Sequence, residues 1–306
     1  MGNYERAVND WINILTRFRN TTKFTENQLA IIHDALVGLE LALKRVDNND
    51  QLLNELLVLP DTFFSEYIKF ELNYILVKVY ADELKWADLI ATAEKIRTEF
   101  PTQKYEDIEL LMATGLIELN KYAEADTLLS DLYSQCKNNE ALLKWAELEF
   151  ITGNYDSALE KYLLAYKNKP DDNIWVKLLE CSEADNYKEF DKLWSLGSNY
   201  LKNHPEVNVI RLRYLYNAQR FEEAELLAEF IINNSLSTLD HATAFLIMGM
   251  IDYRQQSYTS AVATLKKVIL LFPEYEDIRS KAIYYTILTL LESGANTEAE
   301  AFFAKY

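Results

Sequence analysis

The sequence predicts an all-α chain built as a solenoid of repeated helical hairpins, and three recurrences predict it. Aromatic residues return at Trp86, Tyr122, Tyr155, Tyr187, Phe221 and Tyr258, separated by 36, 33, 32, 34 and 37 residues. Three residues beyond these rings stand Leu89, Ala125, Ala158, Phe190, Ala224 and Ala261, four of the six alanine. A methyl-sized gap one turn after a ring is where a neighbouring helix can approach closely. Proline stands fifteen residues after the ring at Pro101, Pro170 and Pro273, while Pro205 comes three residues late in its unit. Self-similarity at this kind of period means stacked units, none of which can bury its apolar face alone.

Taken in order, Tyr4-Glu5-Arg6-Ala7 with Trp11 and Ile14 reads as a second helix without a first. Thr25 to Val46 reads as one amphipathic helix capped by Thr25, and Asp47-Asn48-Asn49-Asp50 as a turn. Leu52 to Leu59 forms a short helix stopped by Pro60, with Asp61 expected to cap the next. Upstream of each ring a first helix is expected: Phe70 to Tyr80, Asp107 to Leu119, Ala141 to Phe150, Ile174 to Cys181, Val207 to Tyr216, Ala242 to Tyr253 and Arg279 to Leu291. Ala113, Ala146 and Gly249 are the small residues that let three of these pairs close up. A last unit, Gly294-Ala295-Asn296 with Ala299, lacks the ring, and Ala301 to Tyr306 ends within a second helix. Both ends read as half-repeats, either caps or cuts in a longer array.

The unit Gly153-Asn154-Tyr155-Asp156-Ser157-Ala158, followed by Tyr162, Ala165 and Pro170, resembles the second helix of a tetratricopeptide (TPR) repeat. That family's signature is a glycine, an aromatic two residues on, an alanine three further and a proline twelve after the alanine. The resemblance implies an all-α, right-handed α-solenoid: about seven TPR-like repeats over residues 70–306, continuous with degenerate hairpins over 1–69. Trp86, Tyr122, Tyr155, Tyr187, Phe221, Tyr258, Ala125, Ala158, Ala224 and Ala261 would pack the repeats. The first helices would line a concave groove that binds a protein or peptide. Carried over, the groove positions include Tyr74, Lys78, Phe150, Trp175, Arg213, Tyr216, Tyr253 and Tyr284. Rings suit an extended or helical segment because they offer large area with few rotors, although any one of them, Phe150 especially, can equally pack between helices. Lys78 and Arg213 are isolated, so a clamp for a C-terminal carboxylate is not expected. The unit with Tyr258, Ala261, Phe272-Pro273-Glu274-Tyr275 and Lys281-Ala282 is similar to bacterial envelope TPR proteins of the outer-membrane assembly and TolA-binding type.

Composition narrows the role. A formal net charge of −17 repels nucleic acid and anionic membrane surfaces, so neither is expected as a partner. The charge reads first as a solvated surface that keeps a tyrosine-rich array soluble, and second as steering for a basic partner. Two cysteines, Cys136 and Cys181, are too few for a disulfide scaffold. No apolar run is long enough to span a bilayer, and the start, Met1-Gly2-Asn3-Tyr4-Glu5, is not a secretory signal. A cytoplasmic location is expected, or a periplasmic one if a signal has been removed. His33, His204 and His241 lie in separate segments, and no metal, phosphate-loop or nucleophile motif occurs. Acidic pairs such as Glu222-Glu223, Asp171-Asp172 and Glu276-Asp277 are placed for helix starts, where carboxylates meet the positive end of the dipole. The expected role is a non-enzymatic scaffold or adaptor of bacterial type, without cofactor or metal. An envelope-assembly protein and a peptide-responsive regulatory domain stand as alternatives.

Overall fold

The computed structural model describes residues 4–46, 50–101, 105–184 and 189–306, the side chains of residues 50 and 51 excepted. Regular structure among the described residues is helical throughout: eighteen α-helices and a 3₁₀ turn, with no strand. The chain divides into two compact units, Met1–Thr152 and Gly153–Tyr306.

The first unit holds α1 (Tyr4–Thr16), α2 (Glu26–Leu43), α3 (Asp50–Val58), the 3₁₀ turn Pro60–Thr62, α4 (Glu66–Asp82), α5 (Trp86–Glu99), α6 (Glu106–Glu118), α7 (Tyr122–Cys136) and α8 (Asn139–Ile151). Helices pack on their sequence neighbours: α1 on α2, α4 on α5 and α6, α6 on α7 and α8. That nearest-neighbour pattern defines a solenoid. Both α2 and α3 pack on α4. Thr25 caps α2 through a capping box with Gln28, as its residue type requires. Asp61 does not cap α4. Ser65 does, its hydroxyl accepting from the Ile68 amide, while Asp61 sits in the 3₁₀ turn and accepts a hydrogen bond from Lys95 at 2.9 Å. The 3₁₀ turn Pro60–Thr62 intervenes, so the helix is capped at Ser65 rather than at Asp61. Of the turn expected at Asp47-Asn48-Asn49-Asp50, residues 47–49 lie outside the described residues.

The second unit holds α9 (Tyr155–Asn168), α10 (Asp172–Ala184), α11 (Phe190–Leu196), α12 (Asn199–Lys202), α13 (Pro205–Asn217), α14 (Phe221–Asn234), α15 (Thr238–Arg254), α16 (Tyr258–Leu271), α17 (Glu276–Glu292) and α18 (Asn296–Lys305). Here α10, α13, α15 and α17 form a row: α10 packs on α13, α13 on α15 and α15 on α17. Their partners α9, α14, α16 and α18 each pack on a member of that row.

A shared backbone device makes the hairpins. Two residues before each helix that starts on the recurring ring, the chain turns left-handed: Leu84, Asn120, Gln219 and Gln256 have φ between 57° and 61°. Gly153 and Gly294 occupy the same position with φ of 81°. Where the following residue's amide is described it reaches back five residues, as from Lys85 to Tyr80 O (2.8 Å), Lys121 to Leu116 O (2.8 Å) and Ser257 to Asp252 O (2.8 Å). The left-handed residue's own amide bonds three back, as from Asn120 to Ile117 O. Together these are Schellman closures, which satisfy carbonyls that the helix end leaves bare. The next helix then starts at once, its first internal bond donated by the amide of the small residue: Ala125 to Lys121 O, Ala224 to Arg220 O, Ala261 to Ser257 O. Those alanines, with Ala158 and Leu89, are completely buried, because one turn after the closure the new helix lies directly against the old one. Acidic residues occupy the first turns of α14 and α17, and the Asp171 carboxylate accepts from the Asn173 amide at the start of α10.

Candidate functional site

The row α10, α13, α15 and α17 of the second unit encloses a groove with a cavity of about 990 Å³. Each helix contributes one stripe at helical spacing. From α10 come Val176, Glu180 and Glu183; from α13, Val209, Ile210, Arg213 and Tyr216; from α15, Leu239, Thr243, Leu246, Ile247 and Met250; from α17, Ile278 and Lys281. The floor is aliphatic and the rim charged. Glu183 faces Arg213, whose Nε lies 3.5 Å from Oε2. Burial pushes the Glu183 carboxyl above its ordinary range, Arg213 opposing the shift and Glu180 adding to it. Glu180 accepts from Lys177 at 2.8 Å.

One wall comes from a different source. Among the described residues, no residue of α9, α14 or α16 lines the groove, yet Tyr200 and Leu201 of α12 do. They reach it because the helix expected to follow α10 is broken in two. Trp175 is completely buried, and its indole N–H donates to Leu193 O at 2.7 Å. In an unbroken helix that carbonyl would accept from the Gly197 amide. The Gly197 amide turns instead to Trp194 O at 3.4 Å, a weak contact by length. A Cβ on Gly197 would lie 2.2 Å from the Trp175 ring, so only glycine fits there. Ser198 then caps a new four-residue helix, which carries Tyr200, 76% exposed, to the mouth of the groove.

Trp175 therefore does not stand on the groove as expected. Its large apolar ring stabilises the protein more by filling the hairpin, beside Trp194 at 5.6 Å, than it could at a wet surface. Arg213 and Tyr216 do line the groove. Tyr253 is half-buried at the hairpin end, its hydroxyl donating to Glu292 at 2.6 Å; that bond and some burial push the phenol up to about 12. Tyr284 is 58% exposed beside Tyr285. In the first unit, the Tyr74 hydroxyl donates to Asp107 at 3.3 Å, and the Lys78 ammonium stands 4.1 Å from the Tyr74 ring centre while bonding Glu40 at 3.1 Å. Phe150 is half-buried. Trp86, Tyr122, Tyr155, Phe221 and Tyr258 are half-buried at helix starts, and Tyr187 lies outside the described residues. Phe190, in the alanine position, is completely buried and stacks on Tyr214 at 4.0 Å. The contribution of α12 to the groove was missed. Its sequence signal was present in the lateness of Pro205 and in Gly197.

Among the described residues, no three His, Cys, Asp or Glu side chains are placed to hold a metal, and no helix is long and apolar enough to cross a membrane.

Stacked helical hairpins with a groove along one row of helices define the α-solenoid class. Within it, the family model of the tetratricopeptide repeat matches residues 110–173, so the repeat motif is shown over that stretch and the fold is similar to that of tetratricopeptide repeat proteins. The match lies outside the Phe272–Tyr275 segment that carried the envelope-type likeness, and lends that likeness no support. Among solved structures, a tetratricopeptide repeat protein from Parabacteroides merdae is similar over 93% of this chain and 98% of its own, with a TM-score of 0.51 at 15% identity. Yeast Tom70 aligns over 99% of this chain and 60% of its own, with a TM-score of 0.46 at 16% identity. Naa15/Naa10 bound to HypK-THB aligns over 78% and 36%, with a TM-score of 0.42 at 18% identity. At these identities the first likeness establishes the fold, and the other two carry no argument. No curated protein sequence matches the chain significantly.

Proposed function

We propose that the chain is a non-enzymatic scaffold or adaptor, and that its second unit holds a peptide segment of a protein partner in the groove between α10, α13, α15 and α17. The observation that carries this reading is the groove itself, a cavity of about 990 Å³ with an aliphatic floor and charged rim. A concave site of mostly apolar walls and a few placed polar groups suits a ligand, and a trough between parallel rows of helix stripes suits a segment of chain. Of the first-unit side chains expected to bind, Tyr74 is bonded to Asp107 and Lys78 to Glu40. These contacts favour the second unit as the binding region.

The test is selection from a displayed random-peptide library on the intact chain, with Met250→Glu in parallel. Met250 is half-buried on the groove, and a carboxylate there puts charge against the apolar floor. Enriched peptides should lose binding to the variant by at least about tenfold, the equivalent of 1.4 kcal/mol, while circular dichroism stays helical. Tyr200→Ala, at an exposed position, repeats the test without risk to the core. Peptides that bind both variants as well as the parent chain would place the site elsewhere.

A further inference from the structure

Resting on that reading, we propose that the segment held in the groove is apolar and carries a basic side chain, lysine or arginine, seated against Glu183 and Glu180. Among the described residues, Glu180, Glu183, Glu206 and Asp240 line the groove with two permanent cations, Arg213 and Lys281, and Lys177 bonds Glu180 from outside that lining. Inside the groove the balance is therefore negative, as it is over the whole chain at −17.

The geometry singles out Glu183. Its side chain is 17% exposed, yet its ion pair with Arg213 is a 3.5 Å approach of Nε to one oxygen. Where this chain closes an ion pair fully, it makes the planar fork of Arg220 on Glu223, both bonds 2.7 Å. A fork is the strong form of the contact. Glu183 has been taken out of water without that compensation, and burial dominates the upward push on its carboxyl. An incoming cation supplies what is missing, and an incoming carboxylate would add repulsion in a half-desolvated trough. Arg213 does not close the position, since its side chain is 45% exposed and lies on the rim. The aliphatic floor at Ile247 and Met250 sets the remaining requirement, apolar side chains beside the basic one.

The experiment reads the sequences enriched on the intact chain and lost on Met250→Glu, and measures those peptides by fluorescence anisotropy on the intact chain and on the Glu180→Gln/Glu183→Gln double variant. Enrichment of lysine or arginine beside apolar residues is expected, with binding weakened roughly fivefold to tenfold on the double variant, as for a partly desolvated charge pair. Groove-dependent peptides without basic enrichment, or bound equally by the double variant, would overturn the basic-segment proposal and leave the groove reading standing. No groove-dependent enrichment at all would overturn both.

Discussion

Two hairpins of the second unit use the same close approach with opposite polarity. In α15–α16 the glycine is on the first helix: a Cβ on Gly249 would meet Leu265 Cγ at 2.7 Å. The large residue comes from the second helix, and both helices run unbroken. In α10–α11 the large residue, Trp175, is on the first helix and the glycine, Gly197, stands at the C-terminal end of the second. The indole also carries a hydrogen-bond donor, and a buried donor must find an acceptor. It takes the Leu193 carbonyl, the second helix breaks, and α12 is turned onto the groove. Close packing by itself leaves a helix continuous. Close packing by a ring that competes for a backbone acceptor ends it.

The comparison is broken most severely by Trp175→Ala, which should cost about 3–5 kcal/mol, the usual loss for emptying a buried aromatic site, read by denaturant unfolding. Trp175→Phe is the sharper test. It keeps a ring but removes the donor, for about 1 kcal/mol, and hydrogen exchange at Gly197 should slow as its amide recovers the Leu193 carbonyl. Unchanged exchange there would mean that the ring's bulk alone makes the break.

Gly197→Ala should destabilise by about 1–3 kcal/mol, towards the upper end because the rigid Trp175 ring has nowhere to step. Gly249→Ala should cost less, about 1 kcal/mol, since Leu265 can change rotamer. Equal losses would show that the two sites differ only in polarity. Smaller again are the turn positions. Leu84, with φ of 58° and 67% exposed, should gain about 0.5–1 kcal/mol as Leu84→Gly, the relief of left-handed strain exceeding the added chain entropy. Gly294→Ala should lose a similar amount, although a Cβ there meets nothing within 4 Å. Thermal melts decide both.

The smallest effect is electrostatic. Because the folded Glu183 carboxyl lies above its ordinary 4.5, the folded chain binds that proton more tightly than the unfolded one. Its contribution is most favourable below the ordinary value and is lost as pH rises through the folded value. Going from pH 7 to about 5 should therefore stabilise the parent chain more than Glu183→Gln, measured by urea unfolding at the two pH values. A parallel response would show that Arg213 already compensates the buried charge.

Much of this was legible before any coordinates. The recurrence from Trp86 to Tyr258 locates the left-handed turns at Leu84, Asn120, Gly153, Gln219 and Gln256, because each closure comes two residues before the ring. The alanines at 125, 158, 224 and 261 are legible for the same reason: helix contact admits only a methyl there. Trp175 was not. Its position in the repeat points to the groove, and nothing local says that a donor 18 residues away in sequence will capture Leu193 O. The groove wall at Tyr200 and Leu201 depends on that event and was hidden with it. Asp61 failed for a smaller reason of the same kind, a 3₁₀ turn that shifts the helix start to Ser65.

Local pattern alone determined that this chain is a row of helical hairpins, where each turn closes and which residues face a neighbour, because those features follow from the spacing of ring, small residue and helix stop within one unit. Only the tertiary structure decided which aromatic leaves the groove for the core, which helix breaks and which carboxylate is left half-desolvated at the rim. Those outcomes rest on competition between groups in different helices for one acceptor or one volume, and a contest between distant groups is settled only once both are in place.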